Sequence, residues 1–79
     1  MTFSDILQRC RKQPFRPFRV HVSDGSSYEV FHRDAILVTF TAATVGLFES
    51  EGGEVPDRTV EIDVAHITRL ETIDEPATA

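Results

Sequence analysis

The sequence predicts a mainly β, α+β fold: one N-terminal helix, then about five short antiparallel strands in a small, strongly bent β-barrel. Three observations lead there. The first dozen residues repeat apolar side chains at helical period, and from Phe18 onward the period becomes two. Asp24-Gly25 is a strong turn signal between two alternating runs. The strands are short and closely connected, and closing such a sheet removes most of its exposed edges. With 79 residues the chain makes one domain, expected at residues 1–73, followed by a flexible acidic tail at 74–79.

The helix is expected over residues 3–12. Phe3, Ile6, Leu7 and Cys10 fall at i, i+3, i+4 and i+7. Thr2 and Asp5 have capping-box spacing, with Ser4 as a competing cap. Asp5 near the start and Arg9, Arg11 and Lys12 near the end suit the helix dipole. Pro14 stops the helix, because the residue before a proline avoids the α region. Gln13 to Arg19 reads QPFRPFR, an extended connector anchored by Phe15 and Phe18.

Phe18, Val20 and Val22 alternate with Arg19, His21 and Ser23, and Tyr28 and Val30 resume the alternation. A two-residue loop at Asp24-Gly25 would oppose His21 to Tyr28 and mix the faces. A three-residue loop, Ser23-Asp24-Gly25, opposes Val20 to Tyr28 and Phe18 to Val30, keeping large apolar residues together. It also sets Gly25 at the left-handed position. The three-residue loop is the expected register.

His32-Arg33-Asp34 is a polar break. Ala35 to Phe40 reads as a strand with Ile36, Val38 and Phe40 on one side and Leu37 on the other. A tight connection is expected at Thr41 to Ala43 and a strand at Thr44 to Phe48, where Gly46 suggests a bulge or a close backbone approach. Glu49 to Asp57 reads as an exposed, mobile acidic loop whose internal deletion the fold should tolerate. A strand centred on Val60, Ile62 and Val64, a 3₁₀ turn at Ala65-His66-Ile67 and a last strand from Thr68 to Ile73 complete the order. The expected core is Phe3, Ile6, Leu7, Phe18, Val20, Val22, Tyr28, Val30, Ile36, Val38, Val45, Leu47, Val60, Ile62, Ile67 and Leu70.

The net charge is −5, with 41% of residues hydrophobic and 27% charged, the balance of a folded domain. No apolar run reaches the roughly 18 residues of a membrane span. No apolar signal region opens the chain, and one cysteine makes no internal disulfide, so the expected compartment is the cytoplasm. A chain this short buries only about 60–65% of its unfolded surface. A homo-oligomer is therefore expected.

Two resemblances follow from these residues. The stretch QPFRPFRVHVSDG, Gln13 to Gly25, and the ending VEIDVAHITRLE, Val60 to Glu71, resemble a group of uncharacterised short bacterial proteins, which lends no activity. The order of a helix and five bent strands, with an Asp-Gly turn in the first hairpin, is similar to the Sm-like fold, including Hfq-type RNA chaperones, and to SH3-like barrels. That likeness implies ring assembly. Sm proteins carry a basic residue and a glycine where this chain has Asp63-Val64. Hfq-type proteins carry a Lys-His pair where it has Ala65-His66. The likeness therefore implies one candidate RNA contact, His66. Fold likeness alone does not give function.

Charge is unevenly placed. Residues 1–20 hold Arg9, Arg11, Lys12, Arg16 and Arg19 against Asp5 alone, and the remainder holds three arginines against twelve acids. The basic set, with Phe15 and Phe18 interleaved, is a candidate surface for single-stranded nucleic acid or a protein partner. Its simpler reading is the polar face of an amphipathic helix beside two core anchors, and a pI near 5.0 opposes attraction to polyanions. No two of the three histidines have metal-ligand spacing. Cys10 lies on the apolar stripe, where a thiol is buried and inert. No phosphate loop or nucleophile elbow occurs, and no cofactor is expected. The sequence thus points to a non-enzymatic binding or assembly module that self-associates, with a ring-forming RNA binder as the alternative.

Overall fold

A computed structural model describes residues 1–49, 53 and 55–73. It contains one helix, α1 (Phe3–Cys10), and six strands: β1 (Phe18–Val22), β2 (Ser27–Val30), β3 (Ile36–Val38), β4 (Ala42–Leu47), β5 (Arg58–Asp63) and β6 (Ile67–Thr72). The strands form two separate three-stranded antiparallel sheets, ordered β2-β1-β6 and β3-β4-β5. The expected five-stranded barrel is therefore corrected to a six-stranded α+β fold whose two sheets do not close. The cause lies at the polar break. Residues Arg33–Ala35 wind into a 3₁₀ turn at the expected break, and the strands on either side of it, β2 and β3, fall in different sheets. The expected acidic tail, residues 74–79, and Ser50, Glu51, Gly52 and Glu54 of the expected mobile loop lie outside the described residues.

The helix is shorter than expected, with Arg11 as its C-cap. At its start the Asp5 carboxylate accepts from both the Thr2 N–H (3.2 Å) and the Thr2 hydroxyl (2.8 Å). Ile6 and Cys10 are the buried members of its apolar stripe. Phe3 and Leu7 are only half-buried.

The first hairpin has the three-residue-loop register, with Phe18 opposite Val30 and Val20 opposite Tyr28. The Val22 N–H donates to the Ser26 carbonyl at 2.9 Å, and the Asp24 carboxylate accepts from both the N–H and the hydroxyl of Ser26 (2.9 and 2.6 Å). Gly25 has φ +93°, with open space where a Cβ would stand. Gly25→Ala should thus cost about 1 kcal/mol, all of it conformational. A denaturant midpoint equal to wild type would contradict the left-handed turn.

The second hairpin departs from expectation. The turn sits two residues earlier, at Thr39 to Thr41. The Thr39 N–H donates to the Ala42 carbonyl (2.8 Å), and the Ala42 N–H donates to Thr39 Oγ1 (3.1 Å). Ala42–Leu47 is consequently all strand, and Ala43 joins the core opposite Ile62. Phe40, expected on the same side of the strand as Ile36 and Val38 but outside the core, is 76% exposed and packs edge-on against Phe3 with ring centroids 4.6 Å apart. Gly46 answers to a close approach: a Cβ there would stand 3.0 Å from the Pro56 ring. The loop base is tied as well, since the Asp57 carboxylate accepts the Glu49 N–H (2.6 Å) and Arg58 pairs with Glu49 (2.6 Å).

The core comprises Ile6, Cys10, Phe18, Val20, Val30, Ala35, Ala43, Val45, Ile62 and Ile67. It lies between the two sheets. Val22, Tyr28, Ile36, Val38, Leu47, Val60 and Leu70 pack against it while half-exposed. The 3₁₀ turn expected near His66 occurs at Val64–His66, with the Asp63 side chain accepting the Ala65 N–H (2.9 Å).

Candidate interaction surface

The six residues singled out by charge and resemblance separate into four environments. Arg9 bolts the helix to the first sheet. Its guanidinium lies 5.2 Å from the Phe18 ring centroid and donates to Thr72 Oγ1 at 2.8 Å. Arg19 occupies the middle of a row across β2, β1 and β6. It pairs with Glu29 at 2.7 Å and Glu71 at 3.2 Å, and His21 Nε2 also meets Glu71 at 2.8 Å. The strand register creates this row, because Arg19 opposes Glu29 on one side and Glu71 on the other. His66 caps a turn: its Nδ1 lies 3.2 Å from Ser23 Oγ, and its carbonyl accepts the Ser23 N–H at 2.8 Å. Arg11, Lys12 and Arg16 are exposed, with no ion pair among the described residues.

The basic cluster therefore does not act as one surface. Arg16→Ala should leave melting unchanged, whereas Arg19→Ala should lower it by leaving Glu29 and Glu71 facing each other without their cation. Equal melting temperatures for the two variants would contradict this division.

The same network sets a pH response. The His21 hydrogen bond, and then that of Arg19, hold the Glu71 carboxyl below its ordinary value of 4.5. Bonds from Thr2 and Ser26 likewise hold Asp5 and Asp24 below 3.8. A carboxyl depressed in the folded state stabilises it above the unfolded pKa, and that contribution fades as pH falls through the lower folded value. Stability should fall on acidification from about pH 4.5 downward, and Glu71→Gln should flatten that decline. A decline of unchanged slope in acid-titrated circular dichroism would contradict the role of Glu71.

Cys10 is buried at the last turn of the helix, and that burial pushes its thiol pKa up, away from the reactive thiolate. Among the described residues no three His, Cys, Asp or Glu side chains gather closely enough to hold a metal ion. No described helix is long and apolar enough to cross a membrane.

Two features escaped sequence reasoning. The first is the set of open strand edges. The Val22–Ser26 bond marks which residues of β2 bond to β1, so Ser27 and Glu29 direct their backbone groups away from it. The Val64–Thr41 bond does the same for β5, leaving Thr59, Glu61 and Asp63 pointing outward. The second is a cleft of about 370 Å³ where β5 passes the end of the first hairpin. Val22, Tyr28, Val60 and Ile62 contribute its apolar part, and Asp24, Glu61 and Asp63 its acidic part, with His66 alongside. A groove of about 340 Å³ lies between β2 and the end of β4, bordered by the exposed Phe31 and Phe48.

Fold and surface together define a small α+β domain of two open-edged antiparallel sheets. No protein-family model matches the chain, and no curated protein and no solved structure is significantly similar to it.

Proposed function

We propose that the protein is a non-enzymatic assembly module that associates with copies of itself through its open strand edges. The observation that carries this reading is the failure of the two sheets to close. Among the described residues it leaves β2, β3, β5 and β6 each paired on one side only. An unpaired edge is a template for another strand. Exposed apolar side chains adjoin these edges: Leu37 on β3 is 65% exposed, and Phe31 and Phe48 flank the β2 groove. The small size of the domain adds to the case, because burial against a partner supplements a limited core. The cytoplasm is the compartment this reading assigns, in keeping with a single buried thiol.

The Sm-like likeness supports assembly through strand order alone: a helix, a hairpin, a last strand returning to β1, and a 3₁₀ turn before that strand. It supports RNA binding less. Arg9 and Arg19 are engaged within the protomer, which leaves Arg11, Lys12 and Arg16 as the test set for that alternative. The kinship with the QPFRPFRVHVSDG-bearing bacterial group belongs to this proposal too, without adding an activity.

Light scattering after size exclusion tests the assembly reading. A discrete mass several times the 8.9 kDa chain is expected. A monomer at every concentration would overturn it.

A further inference from the structure

We propose that the cleft beside β5 receives the basic segment Arg11 to Arg16 of a second copy, joining protomers head to tail. This rests on the self-association just proposed and names its contact. The cleft has the character of a docking groove: an apolar floor with an acidic rim. Asp24 and Asp63 each direct one carboxylate oxygen to their own turns. Glu61 has no side-chain partner among the described residues, and it lies on the open edge of β5.

The matching surface is on the same chain. Arg11, Lys12 and Arg16 are exposed and free of carboxylates among the described residues, unlike Arg9 and Arg19. They flank Gln13-Pro14-Phe15, which leads into β1 without joining a sheet. The two surfaces lie toward opposite ends of β1. Arg16 stands just before Phe18, where the strand begins, and Val22, where it ends, lines the cleft. Those ends are separated by roughly 13 Å of extended chain. One protomer therefore presents its basic end to one neighbour and its acidic cleft to another. Such a contact is heterologous, so it closes into a ring or continues as a filament. Charge complementarity sets the register and raises the association rate, and salt weakens it.

The test is a pair of charge reversals, Glu61→Arg and Arg16→Glu, both at exposed positions away from the core. Wild type should show a multimeric mass that falls as salt rises. Each variant alone should associate roughly tenfold more weakly or worse, and an equimolar mixture should regain mass, because each then meets an opposite charge. Circular dichroism confirms that both variants remain folded. Wild-type mass in both variants would overturn this contact and leave self-association standing. A monomeric wild type would remove self-association itself. If Arg16→Glu instead abolished binding of added single-stranded RNA with mass unchanged, the basic segment would serve nucleic acid and the proposal would fail.

Discussion

Phe18→Ala is expected to lower the denaturant midpoint steeply, removing about 3–5 kcal/mol of stability. Phe18 is fully buried at the start of β1, where it meets Val30 and Thr72 across the sheet. Its ring packs at 6.0 Å from that of Phe15 and lies under the Arg9 guanidinium. Truncating a buried phenylalanine costs about 3–5 kcal/mol. A domain of this size has roughly 4–12 kcal/mol in total, so the loss consumes a large share of it. The damage also spreads to the helix, because Arg9 loses its aromatic platform while its Nε stays buried without a hydrogen-bond partner. Phe40→Ala is the matched control. Phe40 is mostly exposed, and its removal should cost far less. Equal denaturant midpoints for the two variants would contradict the placement of the core.

Removal of residues 1–12 should have an effect of similar size. The helix contributes Ile6, with no exposed surface, and Cys10, at 7%, to the space between the sheets. Its loss uncovers the apolar faces of Phe18 and of β3, and it removes the Arg9–Thr72 bond between helix and β6. The truncated chain should aggregate or melt without cooperativity. Ile6→Ala is the milder version, expected to cost about 2–5 kcal/mol. A truncated protein that stays soluble with wild-type melting would show that the helix is not part of the core.

The first hairpin was legible in the sequence because two signals agree there. The alternation of Phe18, Val20 and Val22 with Tyr28 and Val30 admits one register, and Gly25 supplies the conformation which that register needs. The second hairpin was not. From Ala35 to Phe48 the chain has no charged residue and no proline, and its one glycine lies inside a strand. The turn at Thr39 to Thr41 is made by a threonine side chain closing on Ala42, which carries no strong local signature. The alternation that puts Phe40 on the side of Ile36 and Val38 does not hold, because β3 ends at Val38. The division into two sheets was half legible: His32-Arg33-Asp34 marks a break, but local sequence does not say whether a break bends a sheet or ends it.

The candidate site was legible in its residue types and not in their partners. Arg9, Arg11, Lys12, Arg16 and Arg19 cluster in sequence, yet strand register gives Arg19 two carboxylates and helix docking gives Arg9 an aromatic ring. The register expected for the first hairpin already sets Arg19 opposite Glu29, whereas Glu71 lies 52 residues away and only the pairing of β6 with β1 brings it in. The acidic cleft is likewise assembled from the first hairpin, β5 and the turn at His66, and no one of these is distinctive alone.

Concentration-dependent amide hydrogen exchange tests the central claim, assembly through open edges, most directly. The amides of Thr59, Glu61 and Asp63 on β5 point away from β4 and have no strand partner among the described residues of the protomer. They should exchange freely in dilute protein and become protected as concentration rises, while the amides of Val60 and Ile62 stay protected throughout. Rapid exchange of the outward amides at every concentration would contradict an edge-paired assembly on β5.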